Sequence, residues 1–179
     1  MALAALLTQR RRVGLLAILL AGLLSLGCAA PAWAAVHTYH ERPGQTTYRS
    51  QQSLRDQMDR AWQATLFKRY VGGSLQGVYL RLVGFPGNAT VQFGRPLVID
   101  TGAGLRWEAL PSLDPQTQQL PENVGQYDFQ GVLQDLVGAI PLRLEIPLQG
   151  SRAARLTAAP FVVEEWRSLR DLGTSPDSD

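Results

Sequence analysis

From Val13 to Leu26 the chain reads VGLLAILLAGLLSL, an uncharged run that follows three consecutive arginines, Arg10, Arg11 and Arg12. The run falls short of the ~20 residues that a bilayer-spanning helix needs, so it reads as the core of an export signal and not as an anchor. Ala32, Trp33 and Ala34 then supply the small-x-small pattern that signal peptidase accepts, and the expected cut lies before Ala35. The expected organisation is a cleavable signal over residues 1–34, a single α+β domain over 35–172 and a disordered tail over 173–179. Removing 34 of the 179 residues leaves 145, a length that suits one domain around one core.

Cys28, the only cysteine, offers a competing reading in which Leu26-Gly27-Cys28 is a lipidation site and the protein hangs from a membrane by acyl chains. That pattern calls for a branched apolar residue three positions before the cysteine, and Ser25 stands there. Release as a soluble protein by the general secretory route is preferred.

Cleavage changes the charge balance. The 17 basic residues less three arginines leave fourteen against 15 acidic ones, so the net charge of +2 becomes −1. Nucleic-acid binding needs a surplus of cations to displace phosphate counterions, and none remains. The mature chain also lacks cysteine, which excludes disulfides, thiolate metal sites and a cysteine nucleophile.

Turn and periodicity signals then run along the domain. Residues 36–48, broken by Arg42-Pro43-Gly44, read as a hairpin or extended arm. Residues 50–60 fit two readings. Ser53 and Asp56 make a capping box with Leu54, Met58 and Trp62 at i, i+4, i+8, whereas strand, polar turn and strand fits equally well. Trp62, Ala64, Leu66 and Lys68 alternate with polar neighbours and turn at Val71-Gly72-Gly73-Ser74 into a partner strand over 75–85. Phe85-Pro86-Gly87-Asn88 is a turn, strands follow over 96–101 and 105–110, and residues 111–126 form a long polar loop. Asp128 is the expected N-cap of a helix through Phe129, Val132, Leu133, Leu136 and Val137, ended by Gly138. Leu142, Leu144, Ile146 and Leu148 give the clearest strand, with Pro147 marking an edge or an end. A last helix over 161–172 places Val162, Trp166 and Leu169 on one stripe. The expected fold is α+β: an antiparallel curved or barrel-like sheet with two or three helices packed on it.

Several strings resemble a family of exported cyanobacterial proteins catalogued as a domain of unknown function. They are Tyr48-Arg49-Ser50-Gln51-Gln52-Ser53-Leu54-Arg55-Asp56-Gln57, Ala61-Trp62-Gln63, Leu66-Phe67-Lys68-Arg69, Leu80 to Gly87, Gln126-Tyr127-Asp128-Phe129 and Glu165-Trp166. The resemblance spans nearly the whole mature chain. It implies a compartment, the periplasm or the thylakoid lumen of a photosynthetic host, and brings no catalytic residue.

Two motifs carry candidate chemistry. Leu97 to Ala103, with Asp100-Thr101-Gly102 at its centre, resembles the signature of retropepsin-type peptidases, in which two such loops in a homodimer bring two carboxylates together to share a proton. Leu136-Val137-Gly138 would be the second element, though too few residues separate it from the first. The plainer reading makes Asp100 to Gly104 a hairpin turn. Cleavage before Ala35 would also create an amine, Ala35, Val36, His37 sequence, four nitrogens that suit square-planar Cu(II) or Ni(II), with incidental histidines as the alternative. No cofactor is expected. Three functions remain in order: a non-catalytic interaction or accessory module that docks on a membrane protein complex; a binding protein for an apolar lipid or pigment, lined by residues such as Leu80, Leu82 and Leu144; and a homodimeric aspartic peptidase using Asp100.

Overall fold

The computed structural model describes residues 36–150 and 153–173. The export run, Cys28, Ala35 and residues 174–179 lie outside the described residues. Strands β1 (His37–Arg42), β2 (Gln45–Arg55), β3 (Ala61–Val71), β4 (Ser74–Gly84) and β7 (Val124–Asp128) form one antiparallel sheet in the order β1-β2-β3-β4-β7. Strands β5 (Leu97–Asp100), β6 (Arg106–Ala109), β8 (Leu142–Ile146) and β9 (Ala154–Ala158) form a second, in the order β6-β5-β8-β9. Helices α1 (Gln130–Asp135) and α2 (Pro160–Asp171) complete the described elements.

The α+β expectation holds in coarse form, but the single barrel-like sheet does not. The free edge of β4 is taken by β7, which sets Arg81 opposite Gln126. Strand β5 starts a second sheet and pairs with β6 and β8. The inward rows of both sheets belong to one apolar cluster. Trp62, Ala64, Leu66, Leu80 and Leu82 come from the first, Leu97, Ile99, Leu142, Leu144, Ile146 and Leu156 from the second. Burying such side chains contributes about 1.5–3 kcal/mol each before ordering costs are subtracted.

Residues 50–60 resolve in favour of strand, turn and strand. Ser50 and Leu54 face inward at period two, and Leu54 pairs with Trp62. The side chain of Asp56 does not cap a helix. Its Oδ1 accepts the backbone N–H groups of Met58 (2.9 Å) and Arg60 (3.0 Å), and its Oδ2 accepts from Arg60 Nε (2.8 Å) and Trp62 Nε1 (3.2 Å). The expected loop over 111–126 ends early, because Val124, Gly125 and Gln126 already belong to β7. Helix α1 is shorter than its apolar period suggested. Phe129 is the N-cap, one residue later than expected, and the Asp128 carboxylate accepts Gln130 N–H at 2.9 Å. Leu136 is extended at the C-cap, so Val137 lies outside the helix and is 88% exposed. Strand β9 was not expected; two of its three inward residues, Ala154 and Ala158, are small enough to mute the alternation.

Helix α2 keeps its expected stripe, with Val162, Trp166 and Leu169 buried. Its C-terminal carbonyls are satisfied from the sheet: Lys68 Nζ donates to the carbonyl oxygens of Leu169 (3.4 Å), Arg170 (2.7 Å) and Leu172 (2.8 Å). A cation at the negative end of the helix dipole suits this position. Lys68→Met should destabilise the protein by about 2 kcal/mol, since charged hydrogen bonds are lost and buried carbonyls are orphaned. Faster amide exchange confined to the last turn of α2 is the expected signature.

The polar face of the first sheet is strapped by residues 111–123. Asp114, buried in the strap, takes the guanidinium groups of Arg69 and Arg81, the Thr117 hydroxyl (2.6 Å), Gln116 N–H (3.0 Å) and Gln126 Nε2 (3.4 Å). Burial alone would raise its pKa; the bonds from Thr117 and Gln116, the charge of Arg69 and the bond from Gln126 outweigh it and hold the carboxyl below its ordinary range. Removing one member of a buried charged set costs about 3–5 kcal/mol, so Asp114→Ala should lose about 3 kcal/mol at neutral pH. A depressed carboxyl contributes fully above its unfolded pKa of about 3.9 and loses that contribution as pH falls through the folded value. The difference between wild type and variant in urea melts should therefore shrink on acidification from pH 7 to pH 3.

Candidate functional site

Arginines that stay outside the core gather where the two sheets meet. The end of β2 and its turn supply Arg55, Asp56 and Gln57, β8 supplies Arg143 and Glu145, and β9 supplies Arg155, Leu156 and Thr157. Together they line an open pocket of about 310 Å³. The strand register dictates this grouping. On the outward face Arg143 stands opposite Thr157, and Glu145 stands opposite Arg155.

The pocket wall is held by two contacts between the sheets. Asp56 forms a bridge with Leu156. Gln57 reaches across with both ends of its amide: Oε1 accepts Arg155 N–H at 2.7 Å, and Nε2 donates to Ala153 O at 3.0 Å. The Asp56 carboxyl is turned inward and closed to solvent, with Arg60 and Trp62 as its partners. Burial would raise its pKa, and four hydrogen bonds, from Arg60 and Met58 N–H, Trp62 and the Arg60 side chain, bring it below its ordinary value instead.

The guanidinium groups differ in what they have left to offer. Arg55 Nη1 donates to Asp59 O at 2.8 Å. Arg155 uses Nε on Glu145 Oε1 at 2.9 Å and leaves its terminal nitrogens unengaged among the described residues. Arg143 has Asp100 as its ion-pair partner among the described residues, at 3.7 Å, beyond hydrogen-bonding reach.

Asp100 therefore adjoins this pocket through Arg143. It sits at the end of β5 on the outer face of the second sheet, opposite Arg106 on one side and Arg143 on the other. Its Oδ1 accepts Gly102 N–H at 2.8 Å, and Thr101 Oγ1 accepts Ala103 N–H at 3.2 Å. The segment from Asp100 to Gly104 joins two paired strands. Gly102 has two physical reasons to be glycine: its φ is +71°, and a Cβ there would lie 2.9 Å from Arg143 Nη2. Gly102→Ala should cost about 1–2 kcal/mol through the left-handed backbone, measured by thermal melting. Asp100→Asn, at a surface ion pair, should change stability by less than about 1 kcal/mol.

Of the candidate metal-binding sequence, Val36 is half-buried against the core and His37 opens β1 on an exposed edge strand, opposite Arg49. The His37 ring meets Tyr39 edge-on at 6.3 Å. Ala35 lies outside the described residues, and among those described no group of three or more His, Cys, Asp or Glu is placed to hold a metal ion. Leu80, Leu82 and Leu144, the expected lining of an apolar cavity, are fully buried members of the packed core.

Arg55, Arg143, Arg155 and Thr157 were not singled out from the sequence. The alternation of Leu142, Leu144 and Ile146 implies a polar face that holds Arg143 and Glu145. Their neighbours Arg155 and Thr157 lie on β9, whose alanines leave no alternating apolar signal. The chain belongs to the family described as protein of unknown function (DUF3122), whose family model matches residues 34–169. No curated protein and no solved structure matches it.

Proposed function

We propose that the protein is an exported, non-catalytic interaction module of the periplasm or thylakoid lumen that docks on or assists a protein complex at the photosynthetic membrane. One observation carries the reading: the residues that would have enclosed an apolar ligand fill the core, while side chains with spare hydrogen-bonding capacity face outward on rigid strands. Leu80, Leu82 and Leu144 have no exposed surface. A lipid or pigment pocket would need several hundred Å³ of apolar space. The pocket at the sheet seam is open, and its wall is formed largely by the apolar stems of charged and polar residues, with one leucine. The Asp100 motif has a plain structural role: its carboxylate accepts Gly102 N–H in the turn between β5 and β6, and its cross-strand neighbours are Arg106 and Arg143.

Recovery of the protein with gently isolated membranes of a cyanobacterial host tests the reading. Comigration of the untagged protein with a discrete complex on a native gel is expected, together with an intact mass that starts at Ala35. Purification of the protein free of any complex but loaded with lipid or pigment would overturn it.

A further inference from the structure

We infer that the pocket at the seam of the two sheets is an oxyanion-binding site, and that the acidic side chains of the docking partner supply the anion. The second half of this inference rests on the docking reading; the first stands on geometry alone.

Three arginines line the pocket, one each from β2, β8 and β9. Their side chains are 64%, 65% and 66% exposed for Arg55, Arg143 and Arg155, so a ligand can reach all three without opening the core. Of the two acids among the lining residues, Asp56 is turned away and closed by Arg60 and Trp62, and Glu145 is engaged by Arg155 Nε. Arg55 also meets the Asp59 carboxylate at 3.2 Å and Arg143 meets Asp100 at 3.7 Å, so the charges are locally balanced, and what the pocket presents outward is a set of guanidinium N–H donors unused among the described residues.

Arg143 is the centre of the site. Its side chain makes no hydrogen bond among the described residues, its acid partner Asp100 is 3.7 Å away, and its guanidinium lies against Gly102, where any Cβ would displace it. Thr157 stands directly opposite it on β9 with its hydroxyl unengaged among the described residues, and Arg155 lies two residues along the same strand. Two planar forks and a hydroxyl on adjacent strands form the donor set that a carboxylate or phosphate group accepts, because a guanidinium offers paired N–H donors at the spacing of two anion oxygens. The anchors of Gln57 on Arg155 N–H and Ala153 O fix one wall before any ligand arrives.

Composition points the same way. Lys68 is the only lysine in the chain and is buried under α2, so every accessible cation of this kind among the described residues is an arginine. Arginine is the residue suited to bidentate contacts with carboxylates, and it is less strongly hydrated than lysine.

The test is a heteronuclear NMR titration of the mature protein with two probes, inorganic phosphate and a hexaglutamate peptide. Amide shifts should concentrate at Gln57, Arg143 and Thr157. Arg143→Gln should weaken binding at least about 10-fold, the scale of a lost charge-assisted hydrogen bond. Arg143→Lys, which keeps the charge and loses the fork, should fall between wild type and Arg143→Gln. Arg49→Gln, on the other sheet where Arg49 stacks over the Tyr39 ring at 4.0 Å, should leave binding unchanged. Tighter binding of hexaglutamate than of phosphate, by about 10-fold or more, supports an acidic segment of a partner protein, because several carboxylates can then engage the arginines together. Equal affinities would keep the oxyanion site but overturn the partner as its source. No shift with either probe, or equal weakening by Arg49→Gln and Arg143→Gln, would overturn the site itself.

Discussion

Asp56 stands where two sheets must be held together, and both its backbone and its side chain serve that end. Its carboxylate gathers Met58, Arg60 and Trp62 into the tight turn between β2 and β3, which fixes where the long β2–β3 hairpin stops. Its bridge with Leu156 then ties that tip to β9 in the other sheet. With the seam set, Trp62 and Leu156 join the same apolar cluster, and the neighbouring Gln57 is in position to grip the backbone of β9. An inward-facing carboxylate is costly unless its oxygens are filled, and four donors fill them here. Failure at this one residue would loosen the turn, the contact between the sheets and the pocket wall together.

Two further polar devices secure the parts that the apolar core does not reach. Asp114 binds the 111–123 strap to the polar face of the first sheet through Arg69 and Arg81, and Phe67 lies between those guanidinium groups at 5.3 Å from each. Lys68 does the corresponding work for helix α2 by closing its C-terminal carbonyls. Both use charge at buried positions where a partner is already in place. The surface of the second sheet is different: its charges alternate across strands, and those near the seam retain unused donors. Spare donors thus stand on paired strands, which supports the proposed docking role of this surface.

Much of this order could be read from local pattern. The alternation of Trp62, Ala64 and Leu66, the Gly72-Gly73 turn and the stripe of Val162, Trp166 and Leu169 each reflect one element meeting one apolar surface, and each survives. The failures are those in which a distant partner decides. Nothing local says that β4 pairs with β7, forty residues on in the chain, and so a single curved sheet was expected where there are two. Ser53 and Asp56 satisfied a helix cap on paper, but eleven paired positions with β3 override a single capping box. Strand β9 hid behind alanines. The pocket depends on that hidden strand, so its members stayed scattered through the sequence, while Asp100, whose motif is local, drew attention although it only borders the site.

Family membership leaves the role of the domain open, and the structure directs attention to its outer seam and away from its interior. The decisive measurement is hydrogen–deuterium exchange of the protein with and without the membrane complex proposed as its partner. New protection is expected at Gln57, Arg143 to Glu145 and Arg155 to Thr157, with exchange in the core strands β3 and β4 unchanged. Protection confined to the strapped face of the first sheet, or faster exchange throughout the core as a ligand entered it, would rule out docking at the seam.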